Sequence, residues 1–223
     1  MPHVPIYASE EFQGKSRRGK YGDTVEEIDW SVGQILGTLK EYDLDTNTLV
    51  LFSSDNGPWK VYKTEGGSAG PLRGAKGTTW EGGMREPFIA WWLGTIKKST
   101  VCTQVLTNMD LLPTLSELIE IPLPETKIDG VDKSSLFFNP KKEISQQPFY
   151  YYSKQGILEG VRDGALKLIE RNDGIELYNV EVDISEEYDL SGQQPEKVER
   201  LKKMMQEFDL EMEKEKREVG ILD

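Results

Sequence analysis

The sequence has a single cysteine, a single histidine and no long apolar run. Cys102 alone cannot form an intrachain disulfide, and its small neighbours predict a buried or half-buried filler rather than a catalytic thiol. No apolar run approaches the roughly 18 residues that a spanning helix needs, so the sequence predicts no membrane segment. As the only histidine, His3 is the one side chain of ordinarily neutral pKa available for proton transfer, although a lone histidine is more often structural.

Positive charge is also scarce. The chain carries 27 Lys and Arg against 39 Asp and Glu, a net charge of −12, which argues against nucleic acid as the main partner. Residues 57–80 are the exception, with one acid, Glu65, and four bases: Lys60, Lys63, Arg73 and Lys76. This local excess indicates either an anionic ligand or a solvated loop, and charge alone favours neither.

Hydrophobic spacing predicts an α/β pattern in the first part of the chain. Apolar residues recur every three or four positions over residues 20–42, which predicts an amphipathic helix. The continuously apolar segment 48–54 predicts a strand covered on both faces, as in a parallel sheet. A further strand is predicted at 87–93 and a helix over 107–119.

The later part of the chain has a different pattern. Short apolar segments broken by Asp-Gly turns predict antiparallel strands, and these segments are 149–153, 156–162, 165–170 and 174–179. An amphipathic helix over residues 195–216 follows. We therefore predict two domains, an α/β domain of residues 1–145 and a small antiparallel sheet plus helix of residues 146–223.

Polar side chains stand directly after the first predicted strand. Asp55 and Asn56 offer a carboxylate and an amide oxygen, which suit Ca²⁺ or Mg²⁺, and ligands gather at the carboxyl ends of strands in open α/β sheets. A plain Asp-Asn-Gly-Pro turn is the alternative. Lys76 stands among glycines, where a lysine can approach an oxyanion closely with backbone amides nearby.

Six motifs in order along the chain resemble those of the sulfatase family. They are PHVPI at 2–6, YGD at 21–23 with EEID at 26–29, SSDNGP at 53–58, LRGAKGTTWEGG at 72–83, MDLLPT at 109–114, and VRDG at 161–164 with LY at 177–178. The resemblance runs over essentially all 223 residues. It implies an α/β fold with a partial mixed or parallel sheet of the alkaline-phosphatase-like type, followed by a small C-terminal antiparallel sheet plus helix.

The resemblance also implies roles for individual residues. Asp55 and Asn56 would bind the divalent cation, usually Ca²⁺, that neutralises the sulfate oxygens. Lys76 would bind the sulfate or the bridging oxygen, and His3 would contact the ester oxygen and protonate the leaving alcohol. Arg73 and Glu81 are expected either to support the residues that contact the substrate or to be structural. The implied substrate is a sulfated small molecule or glycan, and a periplasmic, secreted or lysosomal location is expected from the family.

Two elements of the family are absent from these 223 residues. The family oxidises the first residue of Cys/Ser-x-Pro-x-Arg to a formylglycine nucleophile, and the nearest stretch, residues 69–73, begins with Ala69. The Asp-Asp pair that supplies metal carboxylates is also missing. The chain thus resembles the C-terminal half of a sulfatase. We expect it to be inactive alone and to hydrolyse sulfate esters only with the missing N-terminal half.

Other readings remain open at this point. Exposed strand edges would favour self-association if the N-terminal strands are not supplied. The chain could instead be a catalytically inactive remnant or binding module. It could also be a related metal-dependent phosphatase or phosphodiesterase, although those enzymes usually spend several Asp and His residues on two metals.

Overall fold

Residues 5–216 are described by the structure, a computed structural model. In chain order the helices are α1 (Gly19–Glu41), α2 (Glu81–Met84), α3 (Leu111–Leu118), α4 (Ser135–Phe138) and α5 (Pro195–Glu215). The strands are β1 (Val50–Ser53), β2 (Phe88–Trp91), β3 (Phe149–Tyr152), β4 (Leu158–Asp163), β5 (Leu166–Arg171) and β6 (Gly174–Asn179). No helix within this range is long and apolar enough to cross a membrane.

The chain divides into two compact units. The first consists of Met1–Val25, Ser54–Glu86 and Gln147–Asp223, and the second of Glu26–Ser53 and Pro87–Gln146. The segment with Asp55, Asn56 and Lys76 thus belongs to the same unit as strands β3 to β6, which are called the late sheet below. The division at residue 145 remains a prediction.

The first unit contains a four-stranded antiparallel meander in the order β3-β4-β5-β6. Helix α5 packs against β4 and β5, and its buried stripe, Val198, Leu201 and Met205, meets sheet residues Val161, Leu168 and Leu177. The strands and the helix confirm the prediction from the alternating pattern and the Asp-Gly turns. Gly164 follows Asp163 at a positive φ of 59°, the left-handed region that glycine adopts without steric cost.

The second unit contains a two-stranded antiparallel sheet in which β1 pairs with β2. The parallel neighbours that the apolar run 48–54 predicts are not found among residues 5–216. Phe52 lies opposite Ile89, and both are exposed, the latter by 59%. The prediction of a strand covered on both faces is therefore wrong for this structure, because an apolar run does not specify which segments cover it.

The helix predicted at 107–119 is present as a 3₁₀ turn, Asn108–Asp110, followed by α3. The buried Asp110 carboxylate accepts hydrogen bonds from the Thr107 N–H and hydroxyl at 2.8 and 3.0 Å, and from the Val131 N–H at 2.9 Å. The bond from the Thr107 N–H satisfies a backbone amide at the helix start, and the bond from Val131 ties a later segment to it. Cys102 is exposed, so the expectation of a buried or half-buried filler is wrong.

Asp23 anchors α1 to the preceding loop. Its buried carboxylate accepts hydrogen bonds from the Ser16 and Gly14 N–H groups, each at 2.8 Å. These bonds, that of Ser16 above all, lower the pKa of Asp23 from its ordinary 3.8, because they favour the charged form.

Replacing Leu201 with alanine should lower the free energy of unfolding by about 2–5 kcal/mol, because the side chain is fully buried in the sheet–helix core. The matched control is Leu210→Ala in the same helix, where the side chain is 62% exposed and a change within about 0.5 kcal/mol is expected. Urea unfolding followed by circular dichroism measures both. Equal losses would contradict the assigned core.

Asp23→Asn should destabilise the protein at neutral pH, because the amide cannot reproduce the charge-assisted bonds to Ser16 and Gly14. Since the folded-state pKa is lowered, the contribution of Asp23 is present above 3.8 and is lost as pH falls below 3.8. The stability gap between wild type and variant should close in that range. Urea unfolding at a series of pH values tests this, with Asp29→Asn, an exposed change in the same helix, as the control. A pH-independent gap would refute the assignment.

Candidate functional site

The turn that follows β1 contains a buried side-chain oxygen, Asn56 Oδ1, without a hydrogen-bond partner among the described residues. Asn56 donates a hydrogen bond from Nδ2 to the Asp55 carboxylate, which leaves its Oδ1 pointing elsewhere. That oxygen is buried and has no hydrogen-bond partner among the described residues. A buried polar atom without a partner costs free energy, whereas a hard cation would satisfy it. An amide oxygen and the carboxylate of the preceding residue, one neutral and one charged, are the kinds of donor that fit a Ca²⁺ or Mg²⁺ ligand set.

Two oxygen donors do not complete such a shell, which for Ca²⁺ holds about six to eight ligands. Within residues 5–216, no group of three or more His, Cys, Asp or Glu side chains could hold a metal ion. The pair Asp55 and Asn56 can therefore be part of a cation site but not the whole of one.

Backbone packing holds this turn against the glycine-rich segment. The Gly57 N–H donates to the Gly83 carbonyl at 3.3 Å. A Cβ at Gly57 would lie 1.9 Å from the Gly82 carbonyl oxygen, so no larger residue fits without moving the chain. Glycine at these positions permits a close approach of two backbones.

Lys76 is positioned by the same packing. Its N–H donates to the Pro58 carbonyl at 3.0 Å, which places the lysine backbone beside the turn that carries Asp55 and Asn56. The half-buried side chain extends over Trp59, with Nζ 5.5 Å from the ring centroid. The structure thus brings together three of the four candidate residues at the level of the backbone. The fourth, His3, lies outside the described residues, and the roles of all four remain predictions.

A further carboxylate near this turn was missed from the sequence. Burial raises the pKa of Glu86, the Ser54 hydroxyl lowers it by hydrogen bonding to the carboxylate, and the Asp55 charge raises it. The Asp55 charge acts in this direction because a nearby like charge disfavours the charged form of a carboxyl. The only signal was a charged residue directly before the strand at 87–93, which is too common to be informative.

Arg73 connects the lysine segment to the late sheet. Its guanidinium donates to the Tyr178 hydroxyl and to the Glu186 carbonyl, each at 3.0 Å, and lies 3.5 Å from the Trp80 ring centroid. Arg171 lies on the same ring at 4.3 Å. Trp80 therefore contacts two guanidinium groups, an arrangement that combines cation–π attraction with packing. These contacts join Arg73 to residues 178–186, and the role expected for Arg73 remains a prediction.

Glu81, which follows the segment that contains Lys76, belongs to a buried cluster of charged side chains with Lys167 and Glu186. Lys167 Nζ on β5 lies 2.9 Å from Glu81 Oε1 and 2.9 Å from Glu186 Oε1, and all three side chains are buried. Glu186 also accepts a hydrogen bond from the Glu81 N–H at 2.8 Å. Burial raises the pKa of the Glu186 carboxyl, an effect that the Lys167 charge opposes. The partners of Glu81 could not be read from the sequence, and its role likewise remains a prediction.

Comparisons with known proteins identify the class. A model of the sulfatase family, described as "Sulfatase", matches residues 1–121, more than half of the 223-residue chain. A second model, "N-sulphoglucosamine sulphohydrolase, C-terminal", matches residues 75–216. The fold is of the alkaline-phosphatase-like α/β type found in its structural neighbours. The chain belongs to the sulfatase family.

Individual relatives agree with this assignment. The chain is similar to N-acetylgalactosamine-6-sulfatase of Mus musculus, with 45% identity over 152 residues that cover 67% of this chain and 29% of that protein. Among solved structures it is similar to PsFucS1 sulfatase from Pseudoalteromonas sp., with a TM-score of 0.85 and 27% identity over 98% of this chain and 48% of that one. It is also similar to Ps i-CgsB in complex with k-i-k-neocarrahexaose, with a TM-score of 0.82, 28% identity and coverage of 93% and 48%.

These relatives are much longer than the matched region. The chain aligns with under a third of the mouse sulfatase and about half of each structural neighbour. The chain thus spans about half or less of the length of the relatives that it matches.

Replacing Lys167 with methionine should lower the free energy of unfolding by about 3–5 kcal/mol. Glu186 would then be buried without its cation, and Glu81 would keep only the more distant Arg85 and Arg162, each at 4.0 Å. The matched control is Lys202→Met, which removes a more exposed pair with Glu170 at 3.2 Å and should cost about 1 kcal/mol or less. Combining Lys167→Met with Glu186→Gln should cost less than the sum of the two single changes. Additive losses in chemical denaturation would contradict a coupled cluster.

Proposed function

We propose that this chain supplies the cation- and sulfate-binding part of an enzyme that hydrolyses sulfate esters. The observation that carries the proposal is the buried Asn56 Oδ1, which lacks a partner among the described residues, on the residue whose Nδ2 donates to the Asp55 carboxylate. Membership of the sulfatase family supports it, as does the hydrogen bond that sets Lys76 beside the same turn.

In this proposal Asp55 and Asn56 bind one divalent cation, Ca²⁺ or alternatively Mg²⁺, through oxygen ligands. The bound cation supplies positive charge that neutralises the sulfate oxygens. The Lys76 ammonium binds the sulfo group or the bridging oxygen and stabilises negative charge there. His3 contacts the ester oxygen and protonates the departing alcohol.

The nucleophile and the other cation ligands are proposed to come from outside these 223 residues. The sequence has no Cys/Ser-x-Pro-x-Arg motif, and residues 69–73 offer only Ala69 at the position to be oxidised. We therefore assign hydrolysis to the chain completed by a segment with that motif, whether covalently joined or a separate partner.

The proposed substrate is a sulfated saccharide. The name of one relative, N-acetylgalactosamine-6-sulfatase, refers to such a compound, and Ps i-CgsB is described in complex with a saccharide, k-i-k-neocarrahexaose. An inactive remnant is the second candidate, favoured by the missing nucleophile motif. Such a remnant would have no reason to retain a specific cation site, and cation binding therefore separates the two.

Titration calorimetry with Ca²⁺ tests the proposal directly. Asp55→Ala and Asn56→Ala should each weaken Ca²⁺ binding about tenfold or more, a loss of about 1.4 kcal/mol, because each removes one ligand oxygen. Asp129→Ala, which removes an exposed carboxylate elsewhere, should leave the affinity unchanged. Lys76→Met should retain Ca²⁺ binding and lose binding of inorganic sulfate. The proposal fails if Asn56→Ala and Asp129→Ala bind Ca²⁺ equally well.

A further inference from the structure

Residues 59–66 form a small closed loop that the proposed sulfatase chemistry does not use. The Trp59 N–H donates to the Gly66 carbonyl at 2.9 Å, and the Tyr62 N–H donates to the Trp59 carbonyl at 3.1 Å. A Cβ at Gly66 would lie 2.0 Å from the Trp59 carbonyl oxygen, so the two ends of the loop meet closely. The base of the loop is thus fixed, which is the condition under which its tip can present side chains in a defined place.

The tip of this loop is basic and exposed. Lys60 and Lys63 are both exposed, Val61 is 75% exposed and the Tyr62 ring is 39% exposed. Within residues 5–216 neither lysine takes part in an ion pair. Glu65 is the one acid of the loop and pairs with neither lysine, so residues 59–66 carry a net positive charge in a protein whose net charge is −12. This excess creates a local positive field.

The other bases of residues 57–80 are accounted for differently. Arg73 is engaged with Tyr178 and the Glu186 carbonyl, so it faces the late sheet. Lys76 stands beside the turn with Asp55 and Asn56. The four bases of residues 57–80 therefore differ in their surroundings. Arg73 contacts the late sheet, Lys76 is the candidate sulfate-binding lysine, and Lys60 and Lys63 lie on the loop.

Trp59 connects the loop to Lys76. The Lys76 amine lies 5.5 Å from the Trp59 ring centroid, and the Tyr62 ring meets Trp59 edge-on with centroids 4.9 Å apart. The Trp59 indole therefore contacts both the Lys76 amine and the exposed Tyr62 ring, and it separates the two. A ligand bound at Lys76 and extending beyond it would meet this loop.

We propose that residues 59–66 form a second subsite for the substrate, which recognises a saccharide with at least one further anionic group. The inference rests on the proposed function, because it takes Lys76 as the position of the sulfate that is removed. Tyr62 offers an apolar ring face with a polar tip, which suits the face of a sugar ring. Lys60 and Lys63 are flexible point charges that can bind a second sulfate or a carboxylate.

The chemistry of this subsite predicts selectivity rather than overall affinity. A second anion on the ligand gains attraction from Lys60 and Lys63, whereas a monosulfated ligand meets only the Tyr62 ring. An acidic protein repels polyanions at long range, so local cations are needed to favour them. The preference for multiply charged ligands should also shrink at high salt, because exposed charges are screened.

The test uses the full chain with Ca²⁺ present and three probes: inorganic sulfate, a monosulfated disaccharide and a disulfated disaccharide. In titration calorimetry the double variant Lys60→Gln/Lys63→Gln should bind the disulfated disaccharide about tenfold more weakly. Its affinity for inorganic sulfate should stay unchanged. The matched control Lys97→Gln/Lys98→Gln removes the same charge from another exposed pair and should affect none of the three probes.

The tyrosine is tested by a conservative pair of variants. Tyr62→Ala should weaken both disaccharides and leave inorganic sulfate unaffected, and Tyr62→Phe should restore most of the lost affinity because the ring remains.

The outcomes separate this inference from the proposed function. If sulfate binding depends on Lys76 but the ratio of disulfated to monosulfated affinity is the same in the Lys60/Lys63 and Lys97/Lys98 variants, the subsite is wrong and the function stands. If Lys76→Met binds inorganic sulfate as well as wild type does, the proposed function itself fails. If wild type binds none of the three probes, both fail.

Discussion

The ammonium group of Lys167, buried between the carboxylates of Glu81 and Glu186, is the interaction on which the arrangement of the first unit depends. Charges removed from water must be paired, because an unpaired buried charge is strongly destabilising. The short contacts of Lys167 with both carboxylates hold α2, β5 and the segment after β6 together, and Arg162 of β4 lies 4.0 Å from Glu81 Oε2. Helix α2 directly follows the segment with Lys76, so the late sheet becomes part of the support of the candidate site rather than a separate appendage.

Local sequence patterns predicted the helices and strands, but they did not predict the contacts between residues far apart in the sequence. The periodicity of α1 and α5 and the Asp-Gly turns of the meander are short-range signals, which is why those elements agree with the sequence analysis. The Lys167–Glu81 bond joins residues 86 apart, and nothing in either neighbourhood names the partner. The apolar run of β1 predicted a strand but not its antiparallel pairing with β2 or the exposure of Phe52. Cover from other strands is a property of the whole sheet.

The candidate site likewise combines residues that the sequence predicted with features that only the three-dimensional structure shows. Asp55, Asn56 and Lys76 were found from oxygen chemistry, glycine content and family motifs, and the backbone bonds between Gly57 and Gly83 and between Lys76 and Pro58 explain why glycines surround them. The unsatisfied Asn56 Oδ1 and the neighbouring Glu86 depend on three-dimensional packing. Hydrogen-bond satisfaction is decided by all surrounding atoms at once, so it cannot be read from spacing along the chain.

The central claim is that the Asn56 amide oxygen is a cation ligand. A crystal structure of the chain grown with Ca²⁺ and sulfate tests it most directly. The account predicts a calcium ion at about 2.3–2.6 Å from Asn56 Oδ1, with the Asp55 carboxylate as a second ligand and the Lys76 amine facing a bound sulfate. An Asn56 Oδ1 that instead accepts a hydrogen bond from the protein or from water, with calcium absent from the turn, would contradict it.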